Sequence, residues 1–305
     1  TKITISCQVF SLRNLKLRNF FLILLSMMMF FVFDVIFSRM LFNTSKNSDY
    51  YDFSSFISGA VFALMLPPDT SVFVVIFGVL FGSLVVKQLF GGVGSNLINP
   101  AIAARLFVQL VIPDALCGFS EPYENAFKVS SLFSVAKTTG VYADTSSISL
   151  TELAFGNFSG FIGIGCGVLV VFGFAYILLK GLVRGYAFFG YMFAILVVYP
   201  AFHITEIFTA LGFRAFIVFI LSSGVLFVGA FALGDFTTMP MNPLMRFFSG
   251  LVCATFTIIM YGKVDLIVAL CAPVVIVNFF TPSLDYFAST LSHKEIEPKK
   301  RGRRL

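Results

Sequence analysis

Nine apolar stretches, separated by polar segments, restrict the fold of this chain more than any other feature. They cover residues 20–41, 53–66, 72–90, 98–112, 158–179, 185–202, 215–233, 247–260 and 266–280. The hydrocarbon core of a bilayer takes about twenty helical residues to cross. Several stretches are only about fourteen residues long, which is typical of broken, tilted or re-entrant helices.

The composition agrees with a membrane location. Hydrophobic residues make up 58% of the 305 residues and charged residues only 12%, which leaves too few polar side chains to cover a water-soluble domain. The apolar stretches also lack the alternation of transmembrane strands. We therefore predict an all-α integral membrane protein with about eight to ten transmembrane helices, some of them broken or re-entrant.

Basic residues form three clusters that predict the orientation of the chain. They lie at residues 13–18 ("RNLKLR"), at Lys180 and Arg184, and at residues 299–304 ("KKRGRR"). Because cytoplasmic segments are enriched in Lys and Arg, we expect a cytoplasmic amino-terminal segment (1–19), a membrane domain (20–286) and a basic cytoplasmic tail (287–305). Both termini on one side require an even number of crossings.

Residues 113–157 form the only long polar insertion, and long loops in compact proteins are usually functional or disordered. The charge distribution puts this loop on the extracytoplasmic side. The five cysteines contain no C-x-x-C pair, and the chain has only two histidines. These counts argue against a local zinc or iron–sulfur motif and against a haem held by paired histidines.

A polar break interrupts the apolar sequence in "FGGVGSNLINPAIAARLF" (residues 90–107). Glycines permit close backbone approach, and Asn96 and Asn99 can satisfy backbone groups that a broken helix releases. Pro100 suits the first turn of a new helix. One interpretation is a helix whose amino end faces a cavity and attracts an anionic group. The other is a simple interhelical turn at the membrane surface.

A similar sequence occurs later in the chain, because "NPAIAARLF" at residues 99–107 resembles "NPLMRFF" at residues 242–248. We call this similarity the sequence echo. Paired interruptions in two halves are typical of repeats whose broken helices meet near the midplane. Lys87 and Arg105 flank the first break, and Asp235 lies just before the second. Intramembrane charges often mark ion paths or cofactor contacts, although Lys and Arg also extend to the interface.

Asp34 is the other acidic residue that interrupts an apolar stretch. Its position allows it to lie near a membrane interface, so Asp235 is the stronger functional candidate of the two.

Four segments together resemble one family, the RnfD/NqrB family, whose members belong to the Rnf electron-transport complex and to the sodium-translocating NADH:quinone reductase. They are "SGAVFALMLPP" (58–68), "KQLFGGVGSNLINPAIAARLF" (87–107), "GAFALGDFTTMP" (229–240, with Asp235 and Thr238) and "NFFTPSLDY" (278–286). The resemblance implies a component of a redox-driven sodium or proton pump in the bacterial inner membrane. It also implies two inverted repeats, as in urea-transporter-like channels.

The resemblance implies a flavin as well. Members carry FMN bound through its phosphate to a serine or threonine, and "DTSSISLTELAFG" (144–156) corresponds to their attachment sequence. Ser149 takes the acceptor position and Thr151 is the nearby alternative. The small residues that usually precede the acceptor are replaced here by Ser147 and Ile148. A second flavin such as riboflavin is expected among the helices. Besides Ser149 and Thr151, the candidate cofactor-binding residues are Lys87, Asn96, Asn99, Arg105, Asp235 and Thr238.

Two further features bear on the subfamily and on coupling. Ile164 stands where relatives commonly have a glutamate, so cation handling here would use other groups. The short amino-terminal segment favours the Rnf-type ferredoxin:NAD complex over the NqrB branch of the quinone reductase.

Expected partners are other membrane subunits, an extracytoplasmic flavoprotein subunit and a cytoplasmic iron–sulfur subunit. The competing class is a flavin-free solute channel on the same scaffold.

Overall fold

The computed structural model describes residues 2–42, 53–91, 96–116, 127–128, 149–156, 158–202, 210–235, 237–261 and 263–301. Eleven α-helices lie in these ranges: α1 Lys2–Phe42, α2 Ser54–Leu64, α3 Val72–Leu80, α4 Pro100–Val111, α5 Leu150–Phe155, α6 Gly167–Leu179, α7 Tyr186–Phe202, α8 Ala210–Ser222, α9 Val225–Phe227, α10 Pro243–Met260 and α11 Leu266–Arg301. Two π-helical segments continue α3 and α9, namely π1 Phe81–Gln88 and π2 Val228–Ala232. A 3-10 turn covers Pro113–Leu116, and the short strands Phe127–Lys128 and Phe158–Ser159 pair in parallel.

Most of the described chain is helical, as predicted. Three helical segments are long and apolar enough to cross a membrane: Leu17–Met40, Pro243–Met260 and Leu266–Thr290. Five shorter apolar helices accompany them in the part of the chain that the structure describes. The predicted membrane architecture with short, broken pieces is therefore confirmed.

Helices α1 and α2 run antiparallel in close contact. The Ser26 hydroxyl donates to the Gly59 carbonyl (2.9 Å), and the Ser55 hydroxyl donates to the Asp34 carboxylate (2.6 Å). A Cβ at Gly59 would lie 2.7 Å from the Met27 Cα, so only glycine allows this approach. Small residues at a crossing are typical of helix packing in membranes.

Helix α3 with π1 runs parallel to α1, and α4 runs back along it. A Cβ at Gly82 would lie 2.8 Å from Phe30 of α1 and 3.0 Å from the Pro100 carbonyl of α4. Gly78, one turn earlier, faces Val108 of α4. Helix α4 therefore ends beside the beginning of α3, at the end of the bundle where Arg18 pairs with Asp69 (3.0 Å). We call this the Arg18 end.

The second half of the chain is ordered from the opposite end. The beginning of α6 lies beside Leu221, and Gly173 further along α6 faces Phe231, so α6 and π2 run in parallel. Helix α7 runs antiparallel to π2, because Val183 lies beside Gly234 while Tyr199 stacks on Phe219. The turn between α6 and α7, which contains Arg184, consequently lies at the opposite end, here called the Arg184 end.

Helices α10 and α11 complete this second unit. The ring of Phe193 lies 6.3 Å from that of Phe247, and the ring of Tyr199 lies 6.4 Å from that of Tyr261 just after α10, so α7 and α10 run in parallel. Helix α11 runs parallel to π2, since its beginning lies beside Gly224 and its Thr281 donates to the Thr238 carbonyl (2.9 Å). The carboxyl-terminal part of α11 is therefore at the Arg184 end.

These directions give two units of inverted order. The first contains α1, α2, α3 with π1, and α4; the second contains α7, α9 with π2, α10, and α11; and α4 packs against α11. The sequence echo does not mark equivalent helices, however. The first Asn-Pro pair begins the fourth helix of its unit, whereas the second begins the third helix of the other unit.

One predicted placement does not fit this order. Helices α1 and α11 run in the same direction, so the basic cluster in the first part of α1 and the basic residues at the end of α11 belong to opposite ends of the bundle. The 3-10 turn that begins at Pro113 lies at the Arg18 end, and the Arg184 turn lies at the other. An extracytoplasmic 113–157 region agrees with a cytoplasmic Arg184 turn and tail, but not with a cytoplasmic Arg18. Most of residues 113–157 lies outside the described ranges.

Candidate functional site

Both Asn-Pro pairs begin a helix in the same way. The Asn99 Oδ1 accepts hydrogen bonds from the backbone N–H groups of Ala101 (3.1 Å) and Ile102 (3.4 Å). The Asn242 Oδ1 accepts one from Leu244 (2.9 Å). In each case proline occupies the first helical turn, where its missing N–H costs nothing. The predicted helix starts are present at both positions.

The two breaks meet at a single side-chain contact. The Asn99 Nδ2 donates to the Asp235 Oδ2 over 3.5 Å, between residues 136 positions apart. The other carboxylate oxygen of Asp235 accepts from the Thr237 backbone N–H (3.0 Å) and hydroxyl (2.8 Å). Asn99 thus caps its helix with its oxygen and reaches the second break with its nitrogen.

Several buried polar atoms in this part of the molecule have no hydrogen-bond partner. Among the described residues they include Asn96 Oδ1, Thr238 Oγ1, Arg105 Nη2 and both side-chain atoms Oδ1 and Nδ2 of Asn278. An unsatisfied buried polar group costs about 1–3 kcal/mol. Buried polar groups without partners favour a ligand that supplies them.

Asn278 was not among the predicted site residues. It is fully buried on α11, one turn before Thr281, whose hydroxyl donates to the Thr238 carbonyl. This spacing puts Asn278 and Thr281 on the same face of the helix. The sequence did contain a signal, because an asparagine in an apolar helix is costly unless it has a partner.

Arg105 is fully buried between the two units. Its Nε donates to the Met65 carbonyl (2.8 Å) and its Nη1 to the Gln109 side chain (3.0 Å), while the Phe161 ring lies 5.5 Å from its guanidinium. A buried guanidinium is strongly favoured to bind an anionic or polar group. Its remaining nitrogen, Nη2, supplies such a donor.

The carboxyl end of α2 is held by donors from other parts of the chain. Three successive carbonyls, those of residues 64–66, lie beyond the reach of the α2 hydrogen-bond pattern. In order, their donors are Gly163 N (2.6 Å), Arg105 Nε (2.8 Å) and Ile162 N (3.1 Å). Non-helical backbone is tolerated inside a membrane protein where such partners exist.

Lys87 points away from this region and toward α1. Its Nζ lies 3.0 Å from the Asp34 Oδ2, and both side chains are almost completely buried. Asp34 is therefore the partner of a buried ion pair. Lys87 is a predicted cofactor-binding residue, and in the structure its ammonium contacts Asp34 and Ser55, next to Gln88.

Ser149 and Thr151 lie in a third place, at the start of α5. The Ser149 Oγ accepts from the Glu152 backbone N–H (3.2 Å) and lies 2.9 Å from the Thr151 hydroxyl. Thr151 is exposed and Ser149 half-exposed, so both hydroxyls are accessible. Helix α5 packs near the beginning of α6, where Cys166 contacts the Ala154 carbonyl (3.5 Å).

The predicted site residues are thus divided among three places. Asn99 and Asp235 meet directly, and Asn96, Arg105 and Thr238 contribute unpartnered atoms. Lys87 belongs to the Asp34 ion pair, and the hydroxyls of α5 belong to the neighbourhood of α6. Ile164 is buried and apolar, and a Cβ at Gly224 would collide with it.

Comparison with known proteins agrees with the motifs. Residues 3–293 match the model of the "NQR2, RnfD, RnfE family". A protein from Haemophilus influenzae (strain PittEE), named as a subunit of the Na(+)-translocating NADH-quinone reductase, is 41% identical over 63 residues, which is 21% of this chain and 15% of that protein. Its namesake from Klebsiella pneumoniae (strain 342) is 30% identical over 129 residues, 40% of this chain and 31% of that protein.

The aligned segments therefore span less than one third of the length of these curated relatives. The family model, in contrast, covers nearly all of the helices described above, including both breaks and most of α11. The chain belongs to the NQR2, RnfD and RnfE family of membrane proteins.

Proposed function

We propose that this chain is a flavin-carrying membrane subunit of an ion-translocating Rnf-type ferredoxin:NAD oxidoreductase complex. The observation that carries the proposal is the contact between Asn99 and Asp235, which joins the two helix breaks beside several unpartnered polar side chains. A closed structural turn gives no reason for buried polar atoms without partners at Asn96 and Thr238, each three residues from one side of this contact.

The unpartnered atoms fit the chemistry of an isoalloxazine ring. Such a ring has apolar faces and an edge with both N–H donors and carbonyl acceptors. Asn278 Nδ2 and Arg105 Nη2 supply donors, whereas Asn96 Oδ1 and Thr238 Oγ1 supply acceptors. Arg105 would also favour negative charge on a reduced ring. These residues are therefore the proposed holders of a non-covalent flavin such as riboflavin.

A covalently bound FMN is proposed at Ser149, with Thr151 as the alternative acceptor. Two observations support this placement: both hydroxyls are accessible, and the segment around them corresponds to the attachment sequence of the family. When bound, FMN supplies one-electron and two-electron transfer. The protein contributes its position and the local electrostatics, and no acid–base residue is needed.

The proposed orientation follows from the helix directions. With residues 113–157 outside, the flavin attachment site faces the extracytoplasmic flavoprotein subunit, and the Arg184 turn and basic tail face the cytoplasmic iron–sulfur subunit. Two of the three basic clusters then obey the positive-inside pattern. Other membrane subunits of the complex would cover the apolar outer surface.

The second candidate is a component of the Na⁺-translocating NADH:quinone reductase type. The named relatives favour it, because both are named as parts of that enzyme. The same flavin sites would serve either complex, so the coupling partners rather than this chain's residues distinguish the two.

In-gel fluorescence of the purified chain after denaturation tests the attachment. Ser149→Ala should abolish covalent fluorescence if Ser149 is the acceptor, and Thr151→Ala should do so if Thr151 is. Ser289→Ala, which removes an exposed hydroxyl on α11, is the matched control and should keep the signal.

Survival of covalent fluorescence in both single variants would exclude this placement. Folded wild-type protein with neither covalent nor extractable flavin would support the flavin-free channel instead.

A further inference from the structure

Arg246 is a buried arginine in the first turns of α10, at the Arg184 end of the bundle. It is only 5% exposed, and its Nε donates to the Pro240 carbonyl (2.9 Å). Pro240 lies two residues before Asn242, the residue that caps α10. This bond therefore holds the guanidinium beside the amino end of the helix, where backbone N–H groups and the helix dipole favour negative charge.

The two terminal nitrogens of Arg246, Nη1 and Nη2, are here called the Arg246 fork. Neither atom forms a hydrogen bond or an ion pair with any residue of the described ranges. Unlike the Nη2 of Arg105, they are not fully enclosed, so a group at the surface can reach them. Two parallel N–H donors of this kind match two oxygens of a phosphate or a carboxylate.

A second guanidinium lies near the Arg246 fork. It belongs to Arg184, which is exposed in the turn between α6 and α7. Among the charged groups that interact electrostatically with Arg246, Arg184 has a larger effect than either Asp285 or Asp235. The strongest of these interactions is therefore a repulsion between two positive charges, and an anion placed between them would relieve it.

The two nearby carboxylates do not occupy the Arg246 fork. Asp285 accepts a hydrogen bond from the Met241 backbone N–H (2.9 Å), and Asp235 accepts one from the Thr237 backbone N–H (3.0 Å). In the part of the chain that the structure describes, neither carboxylate lies within ion-pair distance of Arg246. The fork therefore stays open to an oxygen group from outside the chain.

The residues around the fork are typical of the headgroup level of a membrane. Tyr176 and Tyr186 are exposed on either side of the Arg184 turn, and exposed aromatic side chains of this kind collect at the membrane–water interface. Large apolar side chains are exposed next to them and at the start of α10, namely Leu182, Met241 and Leu244. A ligand at this place would meet both charge and apolar surface.

We propose that Arg246 and Arg184 form a binding site for the phosphate group of an anionic phospholipid, whose acyl chains lie against the exposed apolar side chains beside it. Arg246 supplies the paired donors from a fixed position, and Arg184 supplies a second positive charge from the surface. The bound lipid would connect the turn before α7 to the start of α10. The proposal does not depend on the flavin sites.

Native mass spectrometry of the full chain, titrated with lipid in detergent micelles, tests the proposal. The two probes are phosphatidylglycerol and phosphatidylcholine with the same acyl chains. Wild type should bind the first phosphatidylglycerol more tightly than the first phosphatidylcholine. Arg184→Met should weaken that phosphatidylglycerol binding about fivefold, the usual contribution of one basic residue at an anionic membrane surface.

Two further variants distinguish a specific site from general attraction. Arg246→Lys keeps the positive charge but loses the fork, and should weaken phosphatidylglycerol binding at least as much as Arg184→Met does. Lys263→Met is the matched control, because it removes an exposed lysine after α10, at the Arg18 end. It should bind phosphatidylglycerol as wild type does.

Inorganic phosphate separates a lipid site from a site for the free ion. At the same concentration as phosphatidylglycerol it should leave the lipid bound, because the acyl chains add apolar contacts. Displacement of the lipid by phosphate would overturn the proposal, as would equal binding of the two lipids by wild type. Unchanged binding in Arg184→Met, or an equal weakening in Lys263→Met, would also contradict it.

Discussion

Asn99 shows how a single side chain can serve two purposes at a helix break. Its oxygen caps α4 and its nitrogen reaches Asp235. The sequence made Asn99 and Asp235 candidates because local chemistry identifies helix starts and costly charges. Their contact could not be read from the sequence, since it depends on how two distant segments pack.

Substitutions of Asn99 separate these two purposes. Asn99→Ala removes both the cap and the contact, and should lower stability by about 0.5–2 kcal/mol as well as the amount of retained flavin. Asn99→Asp keeps an acceptor for the cap but turns a repulsive carboxylate toward Asp235, so it should lose flavin with a smaller loss of stability. Flavin extracted per mole of protein and Tm are the measurements.

Asn242→Ala is the matched control for that pair, because it removes an equivalent cap from α10. It should lower Tm without a comparable loss of flavin. Equal flavin loss in Asn99→Asp and Asn242→Ala would show that flavin retention depends on helix capping and not on the contact between Asn99 and Asp235.

Asn278 allows a prediction in which stability and function change in opposite directions. Replacing it by Leu removes two unsatisfied polar atoms from the interior, so Tm in flavin-free protein should stay equal or rise. Retention of non-covalent flavin should fall at least several-fold, because hydrogen-bonding groups are lost. A fall in Tm with full flavin retention would assign Asn278 a purely structural role.

At the level of helices, the sequence predicted where the helices are interrupted better than it predicted which helices contact one another. Gly, Asn and Pro mark the helix starts at Asn99 and Asn242 through local backbone chemistry. The echo between these starts suggested equivalent positions in a repeat, and the helix directions show that they are not equivalent. The π-helical segments carry no distinct sequence signal, because one extra residue per turn barely changes the apolar pattern.

Glycine-mediated crossings are a property of pairs of helices. Gly59→Ala would place a Cβ 2.7 Å from the Met27 Cα and force α1 and α2 apart. We expect a loss of about 1–3 kcal/mol, measured as a lower Tm. Gly173→Ala on α6 is the control, since its Cβ would meet only Phe231 at an ordinary 3.8 Å. Similar Tm values for the two variants would refute the close-packing explanation.

Over the whole molecule, the direction of each helix decides which polar segments share a side. The apolar stretches predicted the membrane class and the short helices. The basic residues near both termini predicted that the two termini lie on the same side, whereas the parallel course of α1 and α11 puts them at opposite ends of the bundle. The predicted cytoplasmic Arg184 turn and the predicted extracytoplasmic 113–157 loop agree with the structure in one respect, because Pro113 and Arg184 lie at opposite ends.

Site-directed cysteine labelling measures this arrangement in intact cells or sealed vesicles. After the native thiols are blocked or removed, Asp69→Cys and Asp114→Cys should react with a membrane-impermeant maleimide from the same side. Arg184→Cys, at an exposed position, should react from the opposite side. Labelling of Asp69→Cys and Arg184→Cys from one side would contradict the helix order.

Two backbone hydrogen bonds at the end of α2 limit how the two units can move. They join the carbonyls of Leu64 and Leu66 to residues 162–163, just before the second unit, so sliding one unit past the other would break both bonds together. Wholesale rocking, the usual motion of repeat-built carriers, is therefore costly at this seam. In the ion-translocating function proposed above, movement would then be confined to local rearrangements of side chains while the helices keep their positions.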